Sequence, residues 1–341
     1  MSKWDTEYIK LCKTIIKEGN RVQSEKKIDM LTIPNCNFSF SLGDEFPILT
    51  TKEVLFDKAI IELLWMWQMQ SNDVRNLHDR GVHIWDEFMI DSDGVLRIYE
   101  PNTSLEEYDP DREVLIMDAL SRLPDDLKTP LRAKYFGHMF KLGAKSLIPG
   151  RNIKQALYFD DEYQYTIGPI CGFNNERYRQ TQDLITELKA STDDTIIEKR
   201  LWENEFLTSS VVIPSIWLTK WSTIGDKLNL AVYQSESNVP LWLPFSVTQY
   251  ATLLSLIAHF TGYTPDKLEF LIDNPYIYMN QTSGIFEQIG KYDILPDLEA
   301  PELWINPEVD DFFKLDNSKE MKDIKLKKYV NYGRIRFPNN R

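Results

Sequence analysis

Apolar side chains recur at Phe56, Ile60, Leu63, Leu64 and Trp67, a spacing that lays them along one stripe of a helix. Val247, Tyr250, Leu254, Ile257 and Ala258 repeat the pattern, in a helix predicted to enter after Pro244 and stop at Gly262. The first twenty residues, MSKWDTEYIKLCKTIIKEGN, are charged throughout and predict an amphipathic helix. Short runs rich in β-branched and aromatic residues, SSVVIPSIWL, KLNLAVYQS and LEFLI, predict strands that alternate with the helices. The expected class is therefore mixed α/β or α+β. Between Asp86 and Gly168 this order gives way to Asp- and Pro-punctuated sequence such as SLEEYDPDREVLIMDALSRLPDD, which predicts an acidic surface insertion at about residues 87–165. No EF-hand spacing occurs in it, so its carboxylates are expected to be solvated. Repeats and Gly/Ser linkers are absent from the sequence, which predicts one domain over residues 1–341.

Composition narrows the function more than the fold. The 341 residues are 43% apolar and 27% charged, enough to build a full-sized core without disulfides. A formal net charge of −13 repels phosphate backbones and anionic lipid, so neither nucleic acid nor membrane is an expected partner. Residues 319–341 are the exception, with eight Lys and Arg against Glu320 and Asp323; a solvated terminal strand with its flanks accounts for them. Cys12, Cys36 and Cys171 form no CxxC pair, and His78, His83, His138 and His259 have no recognisable metal or nucleophile spacing. No metal site is expected. With no signal-peptide pattern at the start and no apolar run of about 20 residues, the expected compartment is a reducing cytoplasm.

Several residues stand out as candidate chemistry. Glu62 falls among apolar residues in IIELLWMW, where a carboxylate must be paired, hydrogen-bonded or protonated; a general acid/base and a satisfied structural Glu both fit. Trp85 beside Asp86 in HIWDEF suits a flat heterocycle, or a place in the core. Tyr276 and Tyr278 lie two apart and share a face if extended, positioned to grip a sugar hydroxyl or to pack on a sheet. Cys171, between the glycines of GPICGF, is either a thiol presented to a cleft or a small buried residue.

These pieces occur in a fixed order: FPILTTKEVLFDKAIIELLW, GVHIWDEF, GPICGF, IPS, VYQSESNVPLWLPFSVTQYATLLSLIAHFTG and YIYMNQ. Together they resemble the thymidylate synthase and deoxycytidylate hydroxymethylase superfamily, from about Tyr8 to the C-terminal strand. The resemblance implies a thymidylate synthase-like α/β subunit with a large twisted mixed sheet flanked by helices, which forms a homodimer through that sheet. It also implies nucleotide metabolism by a transferase: a Cys thiolate adds to C6 of a pyrimidine nucleotide, and methylenetetrahydrofolate delivers one carbon to C5. Position by position, the family's catalytic Glu is Glu62, its folate-side tryptophan Trp85, and its lysine after two threonines Lys52. The phenol for the sugar hydroxyl is Tyr278 and the pocket glutamine Gln234, while Trp202 stands 13 residues before Ser215 as the family spacing requires.

The departures bear on the chemistry. Where the family carries Pro-Cys-His, this chain reads Pro214, Ser215, Ile216, a hydroxyl with no adjacent base. The asparagine that reads the pyrimidine edge becomes Ser246, the folate-contacting carboxylate becomes Asn238, and a glycine of the folate wall becomes Trp242. The phosphate arginines fall near Glu25, on Ser235 with Glu236 beside it, and near Thr195 and Ile196, with Lys199 and Arg200 a few residues on. The leading expectation is a pseudoenzyme whose cleft binds a non-phosphorylated small molecule, or which serves as an assembly partner. One alternative is an active pyrimidine C5 one-carbon transferase using Cys171, at the family's tyrosine position, with methylenetetrahydrofolate as cofactor; the other is a non-catalytic subunit paired with an active paralogue.

Overall fold

The structure is a computed structural model that describes residues 2–23, 28–92, 94–101, 151–158, 163–170, 172–191, 194–201 and 214–339. Glu25, His138, Cys171, Trp202 and most of the expected insertion lie outside the described residues. The chain groups into two compact units, one of residues 1–69, 179–201 and 215–341, the other of residues 70–178 and 202–214.

The first unit is built on a seven-stranded sheet. Its strands are β1 (Asn20–Gln23), β2 (Asp29–Thr32), β3 (Cys36–Ser41), β6 (Ile196–Arg200), β7 (Ile216–Ile224), β8 (Lys227–Asn238) and β9 (Thr264–Tyr278). They run β1-β2-β9-β8-β7-β6, with β3 also pairing on β9. Every pairing is antiparallel except β8 with β9, which run parallel in the register Gln234 to Ile272 and Asn238 to Tyr276. Parallel neighbours require a crossover, and the helix predicted after Pro244 supplies it. Leu243–Thr261 is buried along most of its length and closes at Gly262, whose φ of 82° is a left-handed cap that suits glycine.

Helix α2 (Phe56–Trp67) packs on this crossover helix, which in turn packs on β8 and β9. Their shared core is aromatic: Trp67 meets Trp221 and Tyr250 edge-on, with ring centroids 6.5 Å apart in each case, and Tyr250 meets Phe270. Helix α1 (Lys3–Glu18) is the predicted N-terminal helix, capped by the Ser2 hydroxyl and anchored by Trp4 against Tyr8, Phe38 and Phe40. The basic end forms β11 (Ile324–Lys327), paired with β10 (Glu302–Ile305), and beyond it Phe337 lies against Gly284, where a Cβ would come within 2.5 Å of the ring.

The second unit contains α3 (Arg75–His78), the pair β4 (Val95–Pro101) and β5 (Arg151–Tyr158), and α4 (Gly172–Arg177). Ile90, Leu96 and Tyr163 form a small core with Phe173 packed on it. The returning helices of the first unit are α5 (Gln180–Ala190), the crossover helix, here α6, and α7 (Thr282–Ile294).

One buried charge ties the first unit's start to the segment carrying Lys52. Asp5, fully buried, accepts from the backbone N–H and hydroxyl of both Thr50 and Thr51 and from the Ser2 hydroxyl. Removing the acceptor strands several buried donors at once. We therefore expect Asp5→Ala to lower stability by roughly 3 kcal/mol or more, seen as a lower urea midpoint at unchanged slope. A loss well under about 1 kcal/mol would mean the network does not hold this corner.

Candidate active site

The carboxyl ends of β8 and β9 lie at one edge of the sheet because the two strands are parallel. Open α/β sheets receive ligands at that edge. In the first unit most of the sequence-derived residues gather there. Gln234 is 1% exposed, and its Nε2 donates to Ser215 Oγ at 3.2 Å. Its Oε1 is buried and has no hydrogen-bond partner among the described residues. One half of the amide is thus committed to the hydroxyl and the other left unanswered, a state that costs about 1–3 kcal/mol until a donor arrives. Ser215 is held on its backbone side as well, its carbonyl accepting from the N–H and hydroxyl of Ser235. Among the described residues the Ser215 hydroxyl meets an amide, not a base, and its successor Ile216 is a buried aliphatic residue. Among the described residues, no base is hydrogen-bonded to this hydroxyl.

Past Gln234 the strand carries Glu236, exposed, opposite Asn274 of β9. Tyr276 and Tyr278 share one face of β9 as predicted, with rings 5.2 Å apart and crossed at 75°. Burial pushes the Tyr278 phenol above its usual value, and the negative charge of Glu236 adds to the rise while the Tyr276 hydrogen bond opposes it. That coupling puts the carboxylate within electrostatic reach of the phenol.

The turn leaving β8 is built by Asn238, whose Oδ1 accepts from the Leu241 N–H at 3.3 Å and whose carbonyl accepts from Trp242. The Trp242 carbonyl then accepts from the Ser246 N–H, starting α6. Lys52 reaches the same turn and donates to the Pro240 carbonyl. Its ammonium lies 4.8 Å from the centroid of Phe337 and 5.8 Å from that of Tyr8. Burial lowers its pKa from 10.5 to about 7, and the same burial pushes the nearby Cys12 thiol up to about 12. One turn along α6 from Ser246, Gln249 donates to Glu62 Oε2 at 2.7 Å and to the Ala59 carbonyl. Glu62 is 5% exposed, the buried, hydrogen-bonded carboxylate that its sequence setting demanded.

Trp85 and Asp86 belong to the second unit, adjacent as in the sequence, with Trp85 edge-on to Phe88 at 5.8 Å. The chain before Cys171 turns through Gly168 (φ 82°), and Gly172 after it leaves no room for a side chain, since a Cβ would lie 1.9 Å from the Ser71 carbonyl oxygen. Sequence reasoning missed one cluster: His78, His83 and Asp86 bring three ligand-type side chains together. Their spacing does not announce it, because the chain must first reverse through Gly81 between the two histidines.

The family profile described as thymidylate synthase matches residues 6–340. The thymidylate synthase of Clostridium beijerinckii is 28% identical over 337 residues, covering 99% of this chain and 98% of that protein. Thymidylate synthase 1 of Bacillus spizizenii is 30% identical over 297 residues, covering 86% and 80%. Among solved structures, the thermostable thymidylate synthase A from Bacillus subtilis superposes with a TM-score of 0.67 at 26% identity, covering 98% of this chain and 99% of that one.

The depressed Lys52 amine makes a signed prediction. Unfolded, it holds its proton up to 10.5; folded, it releases it near 7. Between those values the unfolded state binds more protons, so stability rises with pH in that window and the contribution is lost as pH falls toward 7. Removing the amine with Lys52→Met flattens this rise. Chemical denaturation of both proteins between about pH 7 and pH 9 should give a stability difference that moves in favour of the parent by up to roughly 1.4 kcal/mol per pH unit. A difference constant with pH would contradict the buried neutral amine.

Proposed function

The chain belongs to the thymidylate synthase family, and from that premise we propose that its cleft binds an unphosphorylated, pyrimidine-nucleoside-like ligand and has lost the thiol addition at position 215. The observation that carries the reading is the unanswered Gln234 Oε1, a buried acceptor at the carboxyl edge of the sheet that calls for a ligand N–H. Tyr276 and Tyr278 supply phenols for a sugar hydroxyl on the neighbouring strand.

What argues against the nucleotide is charge. Ser235 and Glu236 stand where the resemblance places an arginine and a serine, and Glu236 is close enough to act on Tyr278. Two like unit charges about 4 Å apart repel by roughly 1 kcal/mol in water and roughly 4 kcal/mol near a protein surface, so a phosphate dianion there is penalised whichever limit applies. Cationic or neutral ligands escape the penalty.

The family uses methylenetetrahydrofolate, and the residues of the first unit do not fit it. Asn238 replaces the folate-contacting carboxylate, and its amide oxygen is engaged by the Leu241 N–H. Trp242, packed edge-on against Phe245 at 5.9 Å, stands where a glycine would leave room. We therefore derive no carbon-transfer step, and Glu62 is read as a structural anchor to Gln249. The family is dimeric, and we propose a homodimer through the sheet face on which Trp217 and Tyr233 remain half-exposed. No helix among the described residues is long and apolar enough to cross a membrane, and the thiols of Cys12 and Cys36 are free, which supports a reducing compartment.

Titration calorimetry of the purified chain with deoxyuridine and deoxyuridylate tests the reading. The nucleoside should bind at least about tenfold more tightly, and Gln234→Leu should weaken it by roughly 5- to 100-fold. Tighter binding of the monophosphate would overturn the proposal.

A further inference from the structure

The second unit holds the one cluster among the described residues with a metal-type donor set. Helix α3 ends at His78, and the chain turns through Gly81, whose φ of 69° is left-handed. The Gly81 N–H returns to the His78 carbonyl at 2.8 Å and the Val82 N–H to Leu77 at 2.9 Å, while Val82 and Leu77 are each 1% exposed. This anchored turn brings His83 back beside His78, with ring centroids 5.0 Å apart and planes 29° from parallel. Asp86 opens the next 3-10 turn and faces both imidazoles, Oδ1 lying 2.6 Å from His78 Nε2 and Oδ2 3.1 Å from His83 Nδ1.

We propose that His78, His83 and Asp86 bind a divalent first-row transition metal ion, of the zinc, cobalt or nickel class. Two imidazoles and one carboxylate match those ions, whereas magnesium and calcium want all-oxygen shells. The three donor atoms lie within 4.8 Å of one another. Bonds of about 2.0–2.2 Å to a common ion separate donors by roughly 3.4 Å in a tetrahedral arrangement. The carboxylate contacts must therefore open slightly for all three donors to reach one ion. The side chains have the freedom to do so, being 31% (His78), 61% (His83) and 42% (Asp86) exposed on a turn whose backbone is fixed. In the metal-free form the Asp86 carboxylate accepts from both rings; when the ion binds, each ring's proton moves through water to its other nitrogen, or to solvent if the ring was charged, and the freed nitrogen offers its lone pair. Three protein donors leave further positions for water or for a ligand group. Because Asp86 directly follows Trp85, the bound ion also restrains the backbone that carries the indole.

The test uses the untagged, full-length chain stripped with chelator. Calorimetry with zinc chloride should give one saturable site per chain, unaffected by millimolar magnesium. His83→Ala and His78→Gln should each weaken it by about 10- to 100-fold or more, with the urea midpoint of the His83 variant unchanged because that side chain is exposed. Cobalt(II) should give visible d–d bands without the near-ultraviolet thiolate charge-transfer band that cysteine ligation produces. Absence of saturable uptake, uptake undiminished in both variants, or a thiolate band would each overturn the assignment.

Discussion

Parallel pairing of β8 with β9 is the constraint from which the rest of the first unit follows. Two parallel neighbours cannot be joined by a hairpin, so the chain must leave β8, cross over the sheet and re-enter beside it. The buried helix after Pro244 makes that crossing, and its burial against α2 sets the aromatic core of Trp67, Trp221, Tyr250 and Phe270. The same pairing puts the stretch from Gln234 to Asn238 and that from Tyr276 to Tyr278 at one edge of the sheet. Fold and site are thus consequences of one topological choice.

Within that frame, function turns on which polar groups have been left without an answer and which charges have changed sign. A family member that binds a nucleotide monophosphate must concentrate positive charge near the carboxyl end of β8. This chain presents a serine, a carboxylate and a phenol whose pKa is raised chiefly by burial and further by that carboxylate. Meanwhile the Ser215 hydroxyl accepts a hydrogen bond from the Gln234 amide. On the proposed reading, a serine at position 215 and a carboxylate at position 236 both favour binding without the family's covalent step, while the buried amide oxygen of Gln234 keeps a ligand in the account.

Much of the fold was legible from periodicity. The stripes of α2 and α6, Pro244 and Gly262 at the ends of α6, and the amphipathic N-terminal helix all appear as expected. The LEFLI run marked only the middle of a strand that extends from Thr264 to Tyr278, because Pro265 and Pro275 masked its ends. Strands β1 and β2 escaped notice for a physical reason: neither has a residue buried enough to enforce alternation. For the site, the order of motifs brought Ser215, Gln234, Glu236, Asn238 and the two tyrosines into view, since strand ends carry their neighbours with them. Two features lay beyond it. The Asp5 network joins residues 45 or 46 positions apart, and the His78, His83, Asp86 cluster depends on a left-handed turn that spacing does not announce.

The central claim is that the sign of the charge beside β8 decides against phosphate. Its most direct test is to reverse that sign in the double variant Ser235→Arg with Glu236→Ser and measure deoxyuridylate binding by calorimetry. The account predicts at least a tenfold gain over the parent chain, equivalent to about 1.4 kcal/mol, with nucleoside affinity little changed. An affinity for the monophosphate equal to the parent's would contradict it.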